Sequence, residues 1–239
     1  METLDCYEHP TVKAPNGQDY YISSNEFLNR CLPTGLHFIM EMFTVVFPEF
    51  NELPIDDQLT IMKSFGGGFV LMEGNYLTEK CFGGNYRYIF MSSLSVYDTK
   101  NPESFFHEGE GHKKKLHDIA QFYVNKWIGL IRPTLRGADF TEIEFLAAVC
   151  MLMWNFDLED WVPDRLADIG KRVRAKIYNE LNWYYKYELK CEDFAARMGR
   201  IMLFVHAIQE ATLLMQEEIQ AYRLIGALDQ DDFLVKLIL

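Results

Sequence analysis

Residues 43 to 63 read FTVVFPEFNELPIDDQLTIMK, and the parsing of this stretch decides the fold class. Pro48 has no backbone N–H and its ring obstructs the preceding turn, so a helix running up to it must stop there. Upstream, Leu36, Ile39, Met40 and Phe43 recur on one face of such a helix, with Pro33 at a first-turn position. Downstream, a short EFNELP link leads to Asp56 and Asp57, whose carboxylates suit a helix N-terminus. Leu59, Met62, Phe69 and Met72 then predict a second, deeply buried helix. Gly66, Gly67 and Gly68 cut across it, each at roughly 1 kcal/mol relative to alanine. A kink or a close backbone approach is expected there.

Outward from this stretch the pattern stays helical. Residues 1 to 22 carry Pro10, Pro15 and Gly17 with little apolar period and read as a loosely packed lead-in to one domain over 23 to 239. YRYIFM and LSVYD, rich in tyrosine and β-branched residues, predict a small hairpin between 86 and 98. TKNPESFFHEGEGHKKK reads as loop. Four long helices are predicted beyond it, at about 114–132, 141–155, 163–189 and 191–225, the second opened by a Thr141/Glu144 capping box. In the last, Phe194, Met198, Ile201, Val205, Ile208, Thr212, Met215, Ile219 and Tyr222 form a stripe about 45 Å long. The terminal DDFLVKLIL sets Phe233, Leu234, Leu237 and Ile238 on one side of a helix too short to persist alone. It must lie on the rest of the domain. With no repeat and no linker, one all-α domain with a token hairpin is the simplest reading.

Composition narrows the class. A chain of 239 residues with 49% hydrophobic side chains can bury a full core. A net charge of -12 argues against a nucleic-acid-binding surface, and the basic run Lys113, Lys114 and Lys115 reads as a solvated helix start. Cys6, Cys31, Cys81, Cys150 and Cys191 are scattered, without a C-x-x-C pair, and read as reduced thiols rather than zinc ligands or disulfides. No apolar run reaches the roughly 18 residues of a membrane span, and the N-terminus lacks a signal peptide's apolar stretch. A soluble cytosolic or nuclear protein is expected.

Candidate chemistry is sparse. HEGEGH, from His107 to His112, offers two imidazoles and two carboxylates, but a helical zinc site needs histidines four apart and these are five apart across two glycines. SFGGGF lies inside an apolar helical run, where a packing role is expected rather than a phosphate cradle. His37 and His206 fall in apolar helices and read as hydrogen-bonded core residues. No metal, cofactor or catalytic set is predicted. The 11 Met, 18 Phe and 13 Tyr suit an ordinary core or an adaptable apolar pocket with the end helix as lid.

Phe43, Phe50, Leu53, Asp57, Gln58, Ile61 and Met62 stand at the spacing of the nuclear hormone receptor ligand-binding domain signature. FVLMEGNYLT resembles the nematode supplementary receptors, TEIEFLAAVCMLMWN the family's eighth helix, and QAYRLIGALDQDDFLVKLI its penultimate and terminal helices. The resemblance covers roughly residues 30 to 239. It implies a three-layer antiparallel helical sandwich of about 10–12 helices, with residues 230 to 239 as a mobile activation helix. It also implies a nuclear, non-enzymatic, ligand-binding and coregulator-recruiting domain that regulates transcription and dimerises with itself or with another nuclear receptor. The five scattered cysteines do not supply the family's paired zinc ligands, so no direct DNA contact is expected of this chain.

The pocket positions carried over by the resemblance are Leu36, Met40, Val70, Gly74, Leu77, Met215, Glu218, Ile219 and Tyr222. Leu77 replaces an arginine that anchors a ligand carboxylate in relatives, which points to a neutral lipid or sterol-like ligand. The coregulator groove is expected at Val45, Phe47, Leu59, Met62, Lys63, Phe233, Leu234, Lys236, Leu237 and Ile238. Val45 stands where the family has a clamp lysine and Lys236 where it has a glutamate. A lysine there faces the wrong end of a partner helix's dipole, which is expected to weaken ordinary coactivators about tenfold or more. The alternative is a ligand-independent dimerisation or corepressor-binding scaffold of the same fold.

Overall fold

In the computed structural model, which describes residues 10–106, 113–155, 163–192 and 194–239, Ser24 opens the first helix. Its side-chain oxygen accepts the Phe27 amide, a cap that typically contributes about 1 kcal/mol. Helix α1 spans Asn25–Val46, so Pro33 lies inside it rather than at its start. Burial of Leu28 and Leu32 anchors the turns ahead of the proline. Pro48 ends α1 as expected, and one further turn, α2 (Pro48–Asn51), forms within the link.

Helix α3 (Ile55–Phe82) runs unbroken through the glycine triplet. The triplet serves close approach rather than a kink. A Cβ on Gly66 would collide with the Leu237 side chain, and one on Gly67 or Gly68 would press to 3.3 Å from Met215 Cε or 3.2 Å from Leu152 Cδ2. Gly83, at φ 58°, closes α3 with a left-handed cap.

The expected hairpin is part of a larger sheet. Strands β1 (Thr11–Lys13), β2 (Asp19–Ile22), β3 (Tyr88–Ser92) and β4 (Ser95–Asp98) lie in the order β1-β2-β4-β3, with β2 parallel to β4 and the other pairs antiparallel. Residues 10 to 22 therefore do not form a loose lead-in. Pro15 and Gly17 mark the turn between two short strands, and Ala14 packs with Phe82, Phe90 and Val96 in a small core of its own.

Beyond a 3-10 turn at Pro102–Phe105 come α4 (Lys113–Leu135), α5 (Glu142–Met153), α6 (Asp164–Trp183) with a π-helical extension Tyr184–Glu188, α7 (Ala195–Leu224) and α8 (Phe233–Ile238). The expected capping box opens α5, with the Glu144 amide donating to Thr141 Oγ1 at 3.2 Å and the Thr141 amide donating to Glu144 Oε2 at 2.8 Å. These eight helices, among the described residues, pack as a helical sandwich: α7 lies against α3, α4 and α5, α5 also against α3 and α6, and α1 against α2 and α8. Ring contacts of Phe43 with Phe50 and Phe65 join α1, α2 and α3. The long stripe of α7 is core, with Ile201, Val205, Ile208, Met215, Ile219 and Tyr222 all buried. His37 and His206, expected inside, are exposed, and His37 faces Glu41 at 3.4 Å. Each falls on the solvent side of its helix.

A buried ionic cluster ties α5 to α7. Glu144 is fully buried and accepts from Arg197 Nε at 2.8 Å, Arg197 Nη2 at 2.5 Å and the Tyr185 hydroxyl at 2.8 Å. Burial alone would raise its pKa, but the bonds from Arg197, Thr141 and Tyr185 outweigh it and hold the carboxyl below its usual range.

Candidate ligand cavity and terminal lid

An interior cavity of about 70 Å³ opens where α3, β3, β4, α4, α7 and α8 converge. Helix α7 contributes Met215, Glu218, Ile219 and Tyr222, four of the positions expected from the sequence, and α3 contributes a fifth, Val70. Leu36, Met40, Gly74 and Leu77 are not in the wall. The reason lies in Gly74: a Cβ there would run into the carbonyl of Phe90, so β3 lies directly on α3. Ile89, Phe90 and Met91 of that strand take up wall area, and no α1 residue lines the cavity. Leu77 packs instead against the small sheet core.

The cavity surface is almost wholly apolar, and the polar side chains of its wall bond to one another. Trp127 Nε1 of α4 donates to Glu218 Oε2 at 3.2 Å, and the Tyr222 hydroxyl donates to Glu218 Oε1 at 2.9 Å. Burial pushes the Glu218 pKa up to about 7, with the two hydrogen bonds opposing it. Burial, together with the neighbouring Glu218, also raises the phenols of Tyr97 and Tyr222. Asn75 is fully buried in the same wall; its Nδ2 donates to Leu71 O at 2.8 Å, while its Oδ1 has no partner. Sequence reasoning found Glu218 and Tyr222 but not Trp127 or Asn75. No local signal sets those two apart from core residues at the same helical spacing.

Helix α8 covers this end of the domain and contributes Leu234 to the wall. Its buried side chains are Leu234, Val235 and Ile238, with Phe233 and Leu237 half-buried. The buried face is therefore turned toward Val235 relative to the expected stripe, because Leu237 lies over Gly66. Both ends of the helix are held by other elements. Asn29 of α1 donates to Asp232 Oδ1 at 2.7 Å and accepts the Phe233 amide at 2.7 Å, and Gln216 of α7 donates to Ile238 O at 3.2 Å. Lys236 points to solvent and pairs with Asp231 at 2.9 Å, a geometry that contributes little.

Of the expected groove positions, Val45 and Leu59 are exposed apolar residues, at 82% and 47%, next to exposed Met42 and Val46. Met62 is half-buried and Lys63 exposed. Phe47, expected in the groove floor, is buried against Phe43 and Trp154 because the turn before α2 directs it into the core.

The remaining chemical candidate, His107 to His112, lies outside the described residues. Among the described residues no cluster of three or more His, Cys, Asp or Glu is placed to hold a metal ion, and no helix is long and apolar enough to cross a membrane.

Residues 34–225 of this helical sandwich match the family model for the ligand-binding domain of nuclear hormone receptor. The chain belongs to that family, a class of transcription factors rather than enzymes. Among curated proteins it is similar to nuclear hormone receptor family member nhr-12 of Caenorhabditis elegans, 28% identical over 182 residues, covering 73% of this chain and 39% of that protein. It is also similar to nhr-86, 24% identical over 183 residues with 73% and 44% covered, and to nhr-57, 24% identical over 196 residues with 80% and 51% covered, both of the same organism. The chain spans about half or less of the length of these relatives.

Proposed function

We propose that this domain binds an apolar small molecule in the α3–α7 cavity and recruits transcriptional coregulators in the nucleus, with the position of α8 as the switch. One observation carries the reading: Leu234 belongs at once to the terminal helix and to the cavity wall. Anything that fills or empties the cavity acts on the seat of α8. Met42, Val45 and Val46, exposed at the end of α1, and Leu59, exposed on α3, offer apolar surface for an amphipathic partner helix. Val45 and Lys236 leave that surface without the usual pair of clamp charges, which favours a coregulator class other than ordinary coactivators. Self-association or pairing with another nuclear receptor fits the family.

The cavity's size supports a second reading. Drug-sized ligands occupy about 300–1,000 Å³, so a sterol needs the lid and the flexible Met91 and Met215 side chains to yield. A ligand-independent dimerisation or corepressor-binding scaffold needs no such movement. The discriminating experiment removes residues 230 to 239 and measures binding of labelled coactivator and corepressor helices by fluorescence polarisation, with circular dichroism as the folding control. A changed peptide preference in a folded domain supports the switch. Identical peptide binding with and without α8 refutes it and leaves the scaffold.

A further inference from the structure

The interior cavity has a neighbour on the other side of one residue. Phe106 lines the cavity, and it also lines a recess of about 490 Å³ that opens to solvent where the first turns of α1 meet the link between α7 and α8. That link divides the two spaces in the same way, with Leu228 lining the cavity and Ala227 and Asp229 lining the recess. Phe106 is therefore a partition one residue thick. It is buried, with its ring centroid 5.0 Å from that of Phe105 and 4.6 Å from that of Tyr222. A phenyl ring has no hydrogen bond to anchor it, so packing alone keeps the partition shut, and a change of its rotamer would join the two spaces.

Joining them removes the size problem and sets the chemistry. The cavity alone, at about 70 Å³, is below the roughly 300–1,000 Å³ of ordinary ligand sites; cavity and recess together fall within it. The cavity surface is almost wholly apolar, whereas the recess is mostly polar and acidic. Among the described residues, Glu26, Asp229 and Asp232 line the recess against one cation, Arg30, and Arg30 is tied to Glu26. Asp232 accepts from Asn29 Nδ2 and from the Asp229 amide. The exposed Asp229 carboxylate has no partner among the described residues. A cationic group in the recess would be paired there, and an anionic one would meet surplus carboxylates.

We propose that the cavity and the recess are two halves of one ligand site divided by Phe106, and that the site takes a single-chain amphiphile with its apolar chain in the cavity and a cationic head in the recess. The proposal rests on the ligand-binding reading above and replaces the neutral lipid or sterol of the sequence expectation. Leu77 cannot be the reason for rejecting acids, since it lies outside the wall. The discrimination resides in the acidic recess, where the head lies beside the Asn29–Asp232 bond that holds the start of α8.

Three probes with one chain and different heads test this: octylamine, octanol and octanoate. Binding is measured by calorimetry at low salt, and the place of the chain by the methyl resonances of Met91 and Met215, both in the cavity wall, in 13C-methionine-labelled protein. Octylamine should shift both methyls and bind about tenfold tighter than octanoate, with the gap closing as salt is added. Asp229→Asn, at an exposed position, should weaken octylamine about threefold and leave octanol unchanged. Phe106→Ala removes the partition, and with it the fraction of molecules in which the site is shut, so octylamine should bind at least about tenfold tighter. Octanoate binding as tightly as octylamine overturns the cationic head, and octylamine binding that leaves both methyls unmoved overturns the joined site. These wild-type results and Asp229→Asn decide the matter even where Phe106→Ala fails to fold. Xenon, which has no head, separates the proposal from the ligand-binding reading: methyl shifts with xenon but with no octyl probe reveal a cavity sealed at Phe106 and overturn this proposal alone. Shifts with no probe at all also overturn it if absent throughout, and the peptide experiment with the 230 to 239 deletion then decides separately whether α8 is a switch.

Discussion

Asn29→Ala tests how the lid is held. A six-residue helix has no stability of its own in water, so α8 stays folded only while docked. Asn29 supplies two bonds at its N-terminus, a donation to the Asp232 carboxylate and an acceptance from the Phe233 amide, both 2.7 Å. Neutral hydrogen bonds contribute about 0.5–1.5 kcal/mol net and those to charged groups more. The site is only part-buried, so the pair is taken as about 2 kcal/mol, or about thirtyfold in the ratio of docked to undocked lid. The amides of Lys236 and Leu239, bonded to Asp232 O and Val235 O, report it directly by hydrogen exchange. Their protection should fall about thirtyfold in the variant, with the buried turns of α7 unchanged. A loss below about threefold would show that Leu234, Val235 and Ile238 hold the lid without the cap, and the role assigned to Asn29 would be refuted.

Three other variants probe separate parts of the fold. Gly66→Ala removes a poor helix former from the interior of α3 but puts a Cβ into Leu237; the domain should melt no lower, by up to about 1 kcal/mol of propensity gain, while α8 amides lose protection, and unchanged protection would contradict the close approach. Arg197→Met strands the buried Glu144 charge and should destabilise by about 3–5 kcal/mol in thermal or urea melts, with Glu144→Leu added on top recovering much of it; a single-variant loss under about 1 kcal/mol would be incompatible with the cluster. Because the Glu144 pKa is lowered on folding, its contribution is present above the unfolded carboxyl pKa and is lost as pH falls through the folded value. Glu218 has the opposite sign: its folded pKa of about 7 exceeds the unfolded value, so stability is full at acid pH and falls as pH rises toward 7. Between pH 5 and pH 8 the stability difference should move by about 2 to 3 kcal/mol in favour of Glu218→Gln, and parallel curves would place Glu218 in a wetter site.

Local chemistry makes some features legible before any tertiary contact is known. Pro48 stops α1 wherever the chain folds, since its missing N–H and its ring act within one turn. The Thr141/Glu144 box and the α7 stripe are readable for the same reason, because they depend on neighbours three and four residues apart. Residues 43 to 63 already carry the family's spacing, and the family model match over 34–225 agrees with it.

Other features depend on partners far along the chain. Residues 10 to 22 read as loop because a three- or four-residue strand has too little period to register, and only the pairing of β2 with β4 joins the β1–β2 pair to the rest of the sheet. Gly74 reads as a pocket position until Phe90 is seen lying on it, which moves Leu77 out of the wall and brings β3 in. Asn75 resembles any polar residue in an apolar helix; only convergence of α3, β3, α4 and α7 leaves its oxygen buried and unpaired. The sequence by itself determined most of the helices, the Thr141/Glu144 cap and the short apolar helix α8, because these arise from interactions within a few residues. The tertiary structure alone decided where the cavity lies and which residues line it, because a cavity is the space left between elements as distant in sequence as α3 and α8, and no local pattern encodes that space.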